Sequence, residues 1–328
     1  MKTFFVAHSY GELENFFSLA LSTNKKYRLI IYKKNIYERL FKDTIFNKIL
    51  IRKKIKLIYL NSYFKKILGS FFFFFFSSKI YISDSLPLIY SKFFFVLSKI
   101  FFKERVIISH STTPLSGLNK NYKPRNLKRD INCTYFVNNK NEYKIYKKIG
   151  YKNIYLIKNP YKNKKYIDEC KKVKFKKKKF TLLYSSGHHD ILFNKAMRER
   201  QYKIFFTEYR KVFKERLVIV KPHPGETKNE IKKVLKKISQ LNNVEISEEN
   251  TLLLTLNASE SVAFLNGGIF CSLFNSIPTM NFYLWYPKYN MYLKSLNQGH
   301  CHILNSKCKT VSNQKSLIKA LKKLKYSK

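Results

Sequence analysis

Two parallel α/β domains are the architecture this sequence predicts, and three observations predict it. Short apolar runs alternate with helical stretches through both halves of the chain, the rhythm of strands joined by crossover helices. At 328 residues the chain is too long for one small core. A dense lysine run, CKKVKFKKKKF (Cys170 to Phe180), divides the two halves.

In the first half, TFFVA (Thr3 to Ala7) reads as a strand, followed by an amphipathic helix over Glu12 to Leu21. YRLIIYK is a second strand and IKLIYLN (Ile55 to Asn61) a third. KIYIS and RVIIS (Arg105 to Ser109) come next, separated by an apolar helix around Phe93 to Phe102. The second half continues with FTLLYSS (Phe180 to Ser186), a helix around Lys195 to Arg210, RLVIV, and a helix over Asn229 to Gln240. NVEIS, a helix near Glu249 to Leu256, SVAFL and IPTMNFY complete it. The lysine run repels itself and is well solvated, which marks a surface linker. The boundary is therefore set there, giving domains over residues 1–170 and 171–328. Two such domains are expected to enclose a cleft, with ligands outside the carboxyl ends of the strands.

Composition limits the function. The 65 Lys+Arg against 20 Asp+Glu give a formal charge of +45. Such a chain attracts polyanions: nucleic acid, anionic lipid headgroups or phosphorylated substrates. The lysines are spread over the whole length, and Lys, Asn, Ile, Phe and Tyr are abundant together, a bias that an AT-rich genome produces as readily as a polyanionic ligand. No zinc-finger spacing, RNA-recognition signature or heptad-plus-basic-region pattern occurs. No specific nucleic acid is expected, and a basic nucleic-acid-binding protein stands as the alternative from another class. Five cysteines, widely spaced and without a CxxC pair, fit a reducing cytoplasm. The start, MKTFFVAHSYGELENFF, lacks the long apolar core and small-residue cleavage site of a signal peptide, so a cytoplasmic chain is expected.

The most apolar region runs from Gly69 to Phe102, but Asp84, Lys92 and Lys99 interrupt it. No stretch reaches the roughly 20 clean residues of a spanning helix. Buried packing is the first reading, and peripheral contact with the anionic inner face of the membrane the second. The tail SLIKALKKLKYSK places Leu317, Leu321 and Leu324 on one helical face with lysines opposite. A C-terminal helix packing on its own domain is expected there, with membrane-surface docking as the rival.

Four segments carry candidate chemistry, each near the end of an expected element. His110-Ser111-Thr112-Thr113-Pro114-Leu115 directly follows RVIIS. An imidazole there can accept a proton from an attacking hydroxyl, its ordinary pKa lying near 6.5; a strand-end histidine satisfied by a carbonyl is the plainer alternative. Tyr184-Ser185-Ser186-Gly187-His188-His189-Asp190 puts small residues after a strand and before a helix, where backbone N–H groups can approach a phosphate. Adjacent histidines rarely face one ion together, so no metal is expected. In RLVIVKPHPGE (Arg216 to Glu226) two prolines hold His223 in a rigid turn at a strand end. His223 can donate to a phosphate oxygen with Lys221 adding charge. Asn257-Ala258-Ser259-Glu260-Ser261-Val262 follows an apolar helical run; Ser259 and Ser261 there read as hydroxyls at a helix start, suited to an anion or to capping. GHCHILNSKC (Gly299 to Cys308) matches no zinc spacing.

In order, HSTTPL, IGYKNIYLIKNPYKN, the LYSS strand, VKPHP and the serine pair resemble a bacterial group. The chain is similar to the CDP-glycerol glycerophosphotransferases and to the capsule and lipooligosaccharide sialyltransferases and glycosyltransferases that share a His-Pro motif. The likeness covers roughly Arg105 to Tyr283, and KPHP is its most specific part. It implies a GT-B fold, two Rossmann-like domains with parallel sheets facing a central cleft: acceptor-binding over 1–170 and nucleotide-donor-binding over 171–328. It implies group transfer from a CMP- or CDP-linked donor to a hydroxyl of a glycan or lipid-linked glycan, in making a cell-surface polysaccharide. Carried onto this chain, it makes His110 the catalytic base. His223, Lys221, Ser185, Ser186, Gly187, Ser259 and Ser261 become donor-phosphate and nucleotide groups. The paired-acid-glycine motif of the sialyltransferases has no counterpart here, which favours a histidine base. The chain also has no Asp-x-Asp motif at the candidate site, so metal-independent transfer without a cofactor is expected. A polyol-phosphate transferase is the alternative on the same fold.

Overall fold

The structure, a computed structural model, describes residues 2–7, 9–62, 77–83, 100–101, 104–108, 133–138, 140–177, 179–185, 195–223, 226–238, 241–284 and 308–327. The chain divides into two compact units that meet in sequence between Glu169 and Cys170. Each is built on an all-parallel sheet.

The first unit contains β1 (Lys2–Ala7), β2 (Tyr27–Ile31), β3 (Lys56–Tyr59), β4 (Ser77–Ser83), β5 (Glu104–Ile108), β6 (Thr134–Val137) and β7 (Ile154–Leu156), in the order β3-β2-β1-β4-β5-β6-β7. The second contains β8 (Phe180–Tyr184), β9 (Val218–Lys221), β10 (Val244–Ile246), β11 (Ala258–Ala263), β12 (Thr279–Phe282) and β13 (Lys309–Val311), in the order β10-β9-β8-β11-β12-β13. The two orders are the same device. The first strand of each unit lies inside, the next two step outward on one side, and the fourth returns to its other flank. That is the dinucleotide-fold order, and its reversal point lies between β1 and β4 in one unit and between β8 and β11 in the other. The first unit adds β7 at its edge.

The sequence dictates parallel strands because their side chains are apolar on both faces. All five residues of β8 and all four of β9 are buried, and all but Thr181 and Lys221 are predominantly apolar, the near-continuous run that helices on both sides require. The helices of the first unit are α1 (Tyr10–Ser22), α2 (Lys34–Lys42), α3 (Thr44–Arg52) and α4 (Lys140–Ile149), and α5 (Lys164–Lys171) runs across the boundary between the units. Those of the second are α6 (Lys195–Phe213), α7 (Lys228–Leu235), α8 (Thr251–Asn257), α9 (Ile269–Phe274) and α10 (Gln314–Lys325). Their starts are set by side-chain caps. Asp43, fully buried, accepts from the N–H groups of Ile45 and Phe46 at 3.0 and 2.9 Å and starts α3. Thr227 and Glu230 form a reciprocal capping box at α7. Asn250 caps α8.

One core of the second unit joins α6, α7 and α10 to one face of the sheet, through Tyr202, Phe205, Phe206, Tyr209, Phe264 and Phe282. The C-terminal helix packs on its own domain: Leu317, Ala320, Leu321 and Leu324 are buried in that core. Its lysines Lys315, Lys319, Lys322 and Lys323 remain exposed.

Three expectations change. NASESV does not open a helix. Residues 258–263 form β11, because the segment pairs with β8 along its length and Ser261 to Ala263 pair with β12 on the other side. The lysine run is only partly a linker: α5 extends to Lys171, and Phe175 packs on Phe180 at the edge of a core. The described residues also include β6, β7, β13, α2 and α3, none of which the apolar pattern announced. Most of the apolar region from Gly69 to Phe102 lies outside the described residues; β4 and residues 100–101 are the parts within them. Among the described residues, no helix is long and apolar enough to cross a membrane.

Candidate functional site

At the carboxyl edge of the second sheet the strands β8, β9 and β11 end side by side, at the reversal point where open parallel sheets bind ligands. β8 ends at Tyr184 and is followed by Ser185. β9 ends at Lys221, and Pro222 and His223 follow it directly. β11 ends at Ala263 and leads through Phe264 to Gly268 into α9.

Glu226 ties these ends together. Its side chain is fully buried, and one carboxylate oxygen accepts the His223 N–H at 2.9 Å. The same oxygen accepts the Ser185 hydroxyl. The other oxygen lies 3.1 Å from Nη1 of Arg198, in the first turns of α6. Glu226 also donates its own N–H to the His223 carbonyl at 2.8 Å. The turn is thus closed twice, once by backbone and once by side chain. The prolines restrict His223 from within the chain, and Glu226 fixes it from outside. A charged acceptor makes such hydrogen bonds about twice as strong as neutral ones. The Tyr202 ring is packed beneath, where burial and the Glu226 charge push its hydroxyl pKa well above the ordinary value.

The third strand end is stiff as well. Asn266 donates its side-chain amide to the Ser185 carbonyl and accepts the Gly268 N–H at 2.7 Å. Leu265 holds φ at +49°, a left-handed conformation that costs a leucine about 1–2 kcal/mol. Strain of this kind concentrates at functional sites. Gly268 has no room for a side chain: a Cβ there would lie 2.5 Å from the Tyr184 ring. That ring cannot retreat, since its hydroxyl meets Thr255 at 2.7 Å and Ser272 at 3.0 Å.

The sequence-derived candidates are distributed unevenly around this edge. Ser185 and His223 are brought together through Glu226. Lys221 is at the edge, but its ammonium is turned onto the carbonyls of Glu248, at 3.0 Å, and Glu249. It braces the loop before α8. Ser261 is fully buried and meets Ser272 at 2.8 Å and Thr279 at 2.6 Å. It pairs in register with Leu182, three positions before Ser185, so it sits roughly 10 Å down the sheet from that serine. Ser259 is further back, near the start of β11. The structure therefore does not bring the serine pair to His223. Ser186, Gly187 and His110 lie outside the described residues, as do His188 and His189. β5, which leads toward His110, runs beside β4 in the first sheet.

Sequence reasoning missed Glu226, Arg198 and the Asn266-Gly267-Gly268 turn. Glu226 had a visible signal, an acid three residues after a histidine in a basic chain. Arg198 had none, one cation among 65. Among the described residues, no group of three or more His, Cys, Asp or Glu side chains is arranged to hold a metal ion.

At the same edge of the first sheet, α1 begins beside a buried polar cluster. The Tyr10 hydroxyl donates to Asp43, and burial beside that carboxylate raises the Tyr10 pKa well above its ordinary value. The Arg39 guanidinium stacks over the Tyr10 ring at 4.3 Å, and Tyr161 donates to Glu14 at 2.6 Å.

Comparison with solved structures covers both units. The chain aligns with S. aureus MnaA in a co-structure with UDP, at a TM-score of 0.62 and 15% identity, over 99% of this chain and 88% of that one. It aligns with UDP-GlcNAc 2-epimerase from Neisseria meningitidis bound to UDP-GlcNAc at 0.62 and 12%, over 100% and 92%. It also aligns with a variant of the wall teichoic acid polymerase TagF soaked with CDPG at 0.57 and 14%, over 99% and 79%. The chain has the GT-B fold. At these identities the likeness establishes the fold and leaves the activity to the site. No family model matches the GT-B chain, and no curated protein matches it in sequence.

Proposed function

We propose that this protein is a transferase that takes a group from a nucleotide-activated donor, of the CMP- or CDP-linked kind, to an acceptor hydroxyl in building a bacterial surface polymer. One observation carries the reading. The carboxyl edge of the second sheet holds a histidine whose backbone is locked by a buried carboxylate, at the place where this fold binds phosphates. Fixed donors of this kind suit a phosphate that must be held while its bond to the transferred group breaks. Solved structures of the same fold carry UDP, UDP-GlcNAc and CDPG. That supports a nucleotide donor without choosing among bases.

In this mechanism the donor phosphate lies against His223, with Ser185, Ser186 and Gly187 lining its approach. His110 accepts the proton of the acceptor hydroxyl as that oxygen attacks. Positioning and electrostatic stabilisation supply most of the rate. Lys221 acts indirectly, by bracing the loop before α8. The acceptor is a glycan or lipid-linked glycan, and a polyol phosphate is the second form the transferred group can take. The reaction is proposed to be metal-independent, in the cytoplasm at the inner face of the membrane.

The test is a thermal-shift screen of CMP, CDP, UDP and GDP on the wild-type protein and on His223→Ala. A ligand at 100 times its Kd stabilises the folded state by about 2.7 kcal/mol. A cytidine nucleotide is expected to raise the Tm of the wild type, and His223→Ala to lose most of that rise. Equal shifts in both proteins would remove His223 from the donor site.

A further inference from the structure

We infer that the amino edge of the second sheet, with the exposed face of α10 beside it, docks on an anionic phospholipid surface and seats a lipid headgroup in a cavity there. The inference deepens the membrane-face part of the proposed function and does not use the donor site.

The cavity measures about 390 Å³, within the size range of ligand sites. It lies where α9 and the last turns of α10 meet the start of β12 and β13. Thr279 and Lys309, the first residues of those two strands, both line it. Because the strands are parallel, this is the opposite end of the sheet from Ser185 and His223. Leu273, Ile277, Met280 and Leu324 give the cavity apolar walls, and Lys309 and Lys323 give it charge. No acidic residue is among those that line it. Both lysines are exposed, and neither ammonium has an ion-pair or hydrogen-bond partner among the described residues. A phosphate ester on a short carbon skeleton answers both features: the anion meets the two lysines and the carbon meets the walls. A nucleic acid would meet the lysines and leave the walls unused.

The helix extends this cavity into a surface. From Lys309 to Lys328 the chain carries no acidic residue. Lys315, Lys319, Lys322 and Tyr326 follow one another at i, i+4, i+7 and i+11, so they share one face of α10. All four are exposed, and the face opposite holds the buried Leu317, Leu321 and Leu324. Lys323 lies between the two faces, where it lines the cavity. Like charges at this spacing destabilise a helix by themselves, and a negative leaflet offsets their repulsion. Tyrosine, with its apolar body and polar tip, suits the headgroup level of a bilayer. Docking by the amino edge leaves the carboxyl edge of the same sheet open to a dissolved nucleotide.

The experiment is co-sedimentation with vesicles of phosphatidylglycerol and phosphatidylcholine, against vesicles of phosphatidylcholine alone. The proteins are the wild type, Lys309→Gln/Lys323→Gln, and the charge-matched control Lys232→Gln/Lys233→Gln on α7, whose lysines are also exposed and do not line the cavity. The wild type is expected to bind the anionic vesicles and not the neutral ones. Each lysine beside an anionic leaflet is worth about fivefold in partition, so the cavity pair is expected to lower binding about 10- to 30-fold. The control pair is expected to stay within about twofold, and CDP affinity to be the same in all three proteins. Equal losses in the two pairs would show attraction by net charge without a site and overturn the inference. Binding of soluble glycerol phosphate without vesicle binding would give the cavity to a dissolved ligand and also overturn it. A wild type that binds CDP and no vesicle overturns the docking alone, whereas one that binds vesicles and no nucleotide overturns the donor site alone.

Discussion

His110→Ala lowers the rate of group transfer by about 10²- to 10⁴-fold, the range that a positioned general base contributes, and leaves nucleotide affinity unchanged. The two halves of this expectation come from two different sheets. His110 follows β5 in the first unit by two residues, whereas the donor contacts belong to the second. Loss of a base that acts only on the acceptor oxygen lowers kcat and kcat/KM together, because it removes an interaction made in the transition state. The comparison is His223→Ala, which is expected to weaken donor binding as well as the rate. Single-turnover transfer and nucleotide titration on both variants separate the roles. Transfer by His110→Ala at the wild-type rate would assign the base elsewhere. The motif that singles out this residue, HSTTPL directly after an apolar strand, is independent of the second-sheet geometry.

Glu226→Ala destabilises the second domain by about 3–5 kcal/mol, the cost of breaking a buried ion pair from one side. Three groups lose their partner at once: the Arg198 guanidinium, the Ser185 hydroxyl and the His223 N–H. Glu226→Gln keeps the volume and one acceptor oxygen and loses the charge, so a smaller loss is expected. Urea unfolding of the two variants against the wild type measures both. If the alanine variant unfolds within 1 kcal/mol of the wild type, the carboxylate does not hold the turn. Because the same residue locks His223, the glutamine variant is also expected to bind nucleotide more weakly at temperatures where it remains folded.

The strand rhythm was legible because nearly every long strand here is a continuous apolar run between polar turns. RLVIV ending at KPHPGE announced both β9 and the place of His223, since two prolines leave the backbone few alternatives. β7 and β13 were not legible. Each is three residues long, and neither IYL nor KTV shows the apolar–polar alternation by which NVEIS announced the equally short β10. NASESV misled for a physical reason. Asn and Ser favour caps and turns locally, but the segment is drawn into the sheet by ladders on both sides, and Ser261 is satisfied by Ser272 and Thr279. Tertiary context overrides strand propensity in this way whenever both neighbours are present. The Arg198–Glu226 pair was invisible because it joins residues on separate elements, and nothing local distinguishes one arginine in so basic a chain.

The central claim is that a nucleotide donor binds at the carboxyl edge of the second sheet, and hydrogen exchange with and without saturating CDP tests it most directly. Ordered backbone around a bound ligand exchanges more slowly. The prediction is slowed exchange in peptides spanning residues 180–185, 218–226 and 264–269, with the core of β11 around Ser261 unchanged. CDP bound at saturation with slowed exchange confined to the first domain would contradict it.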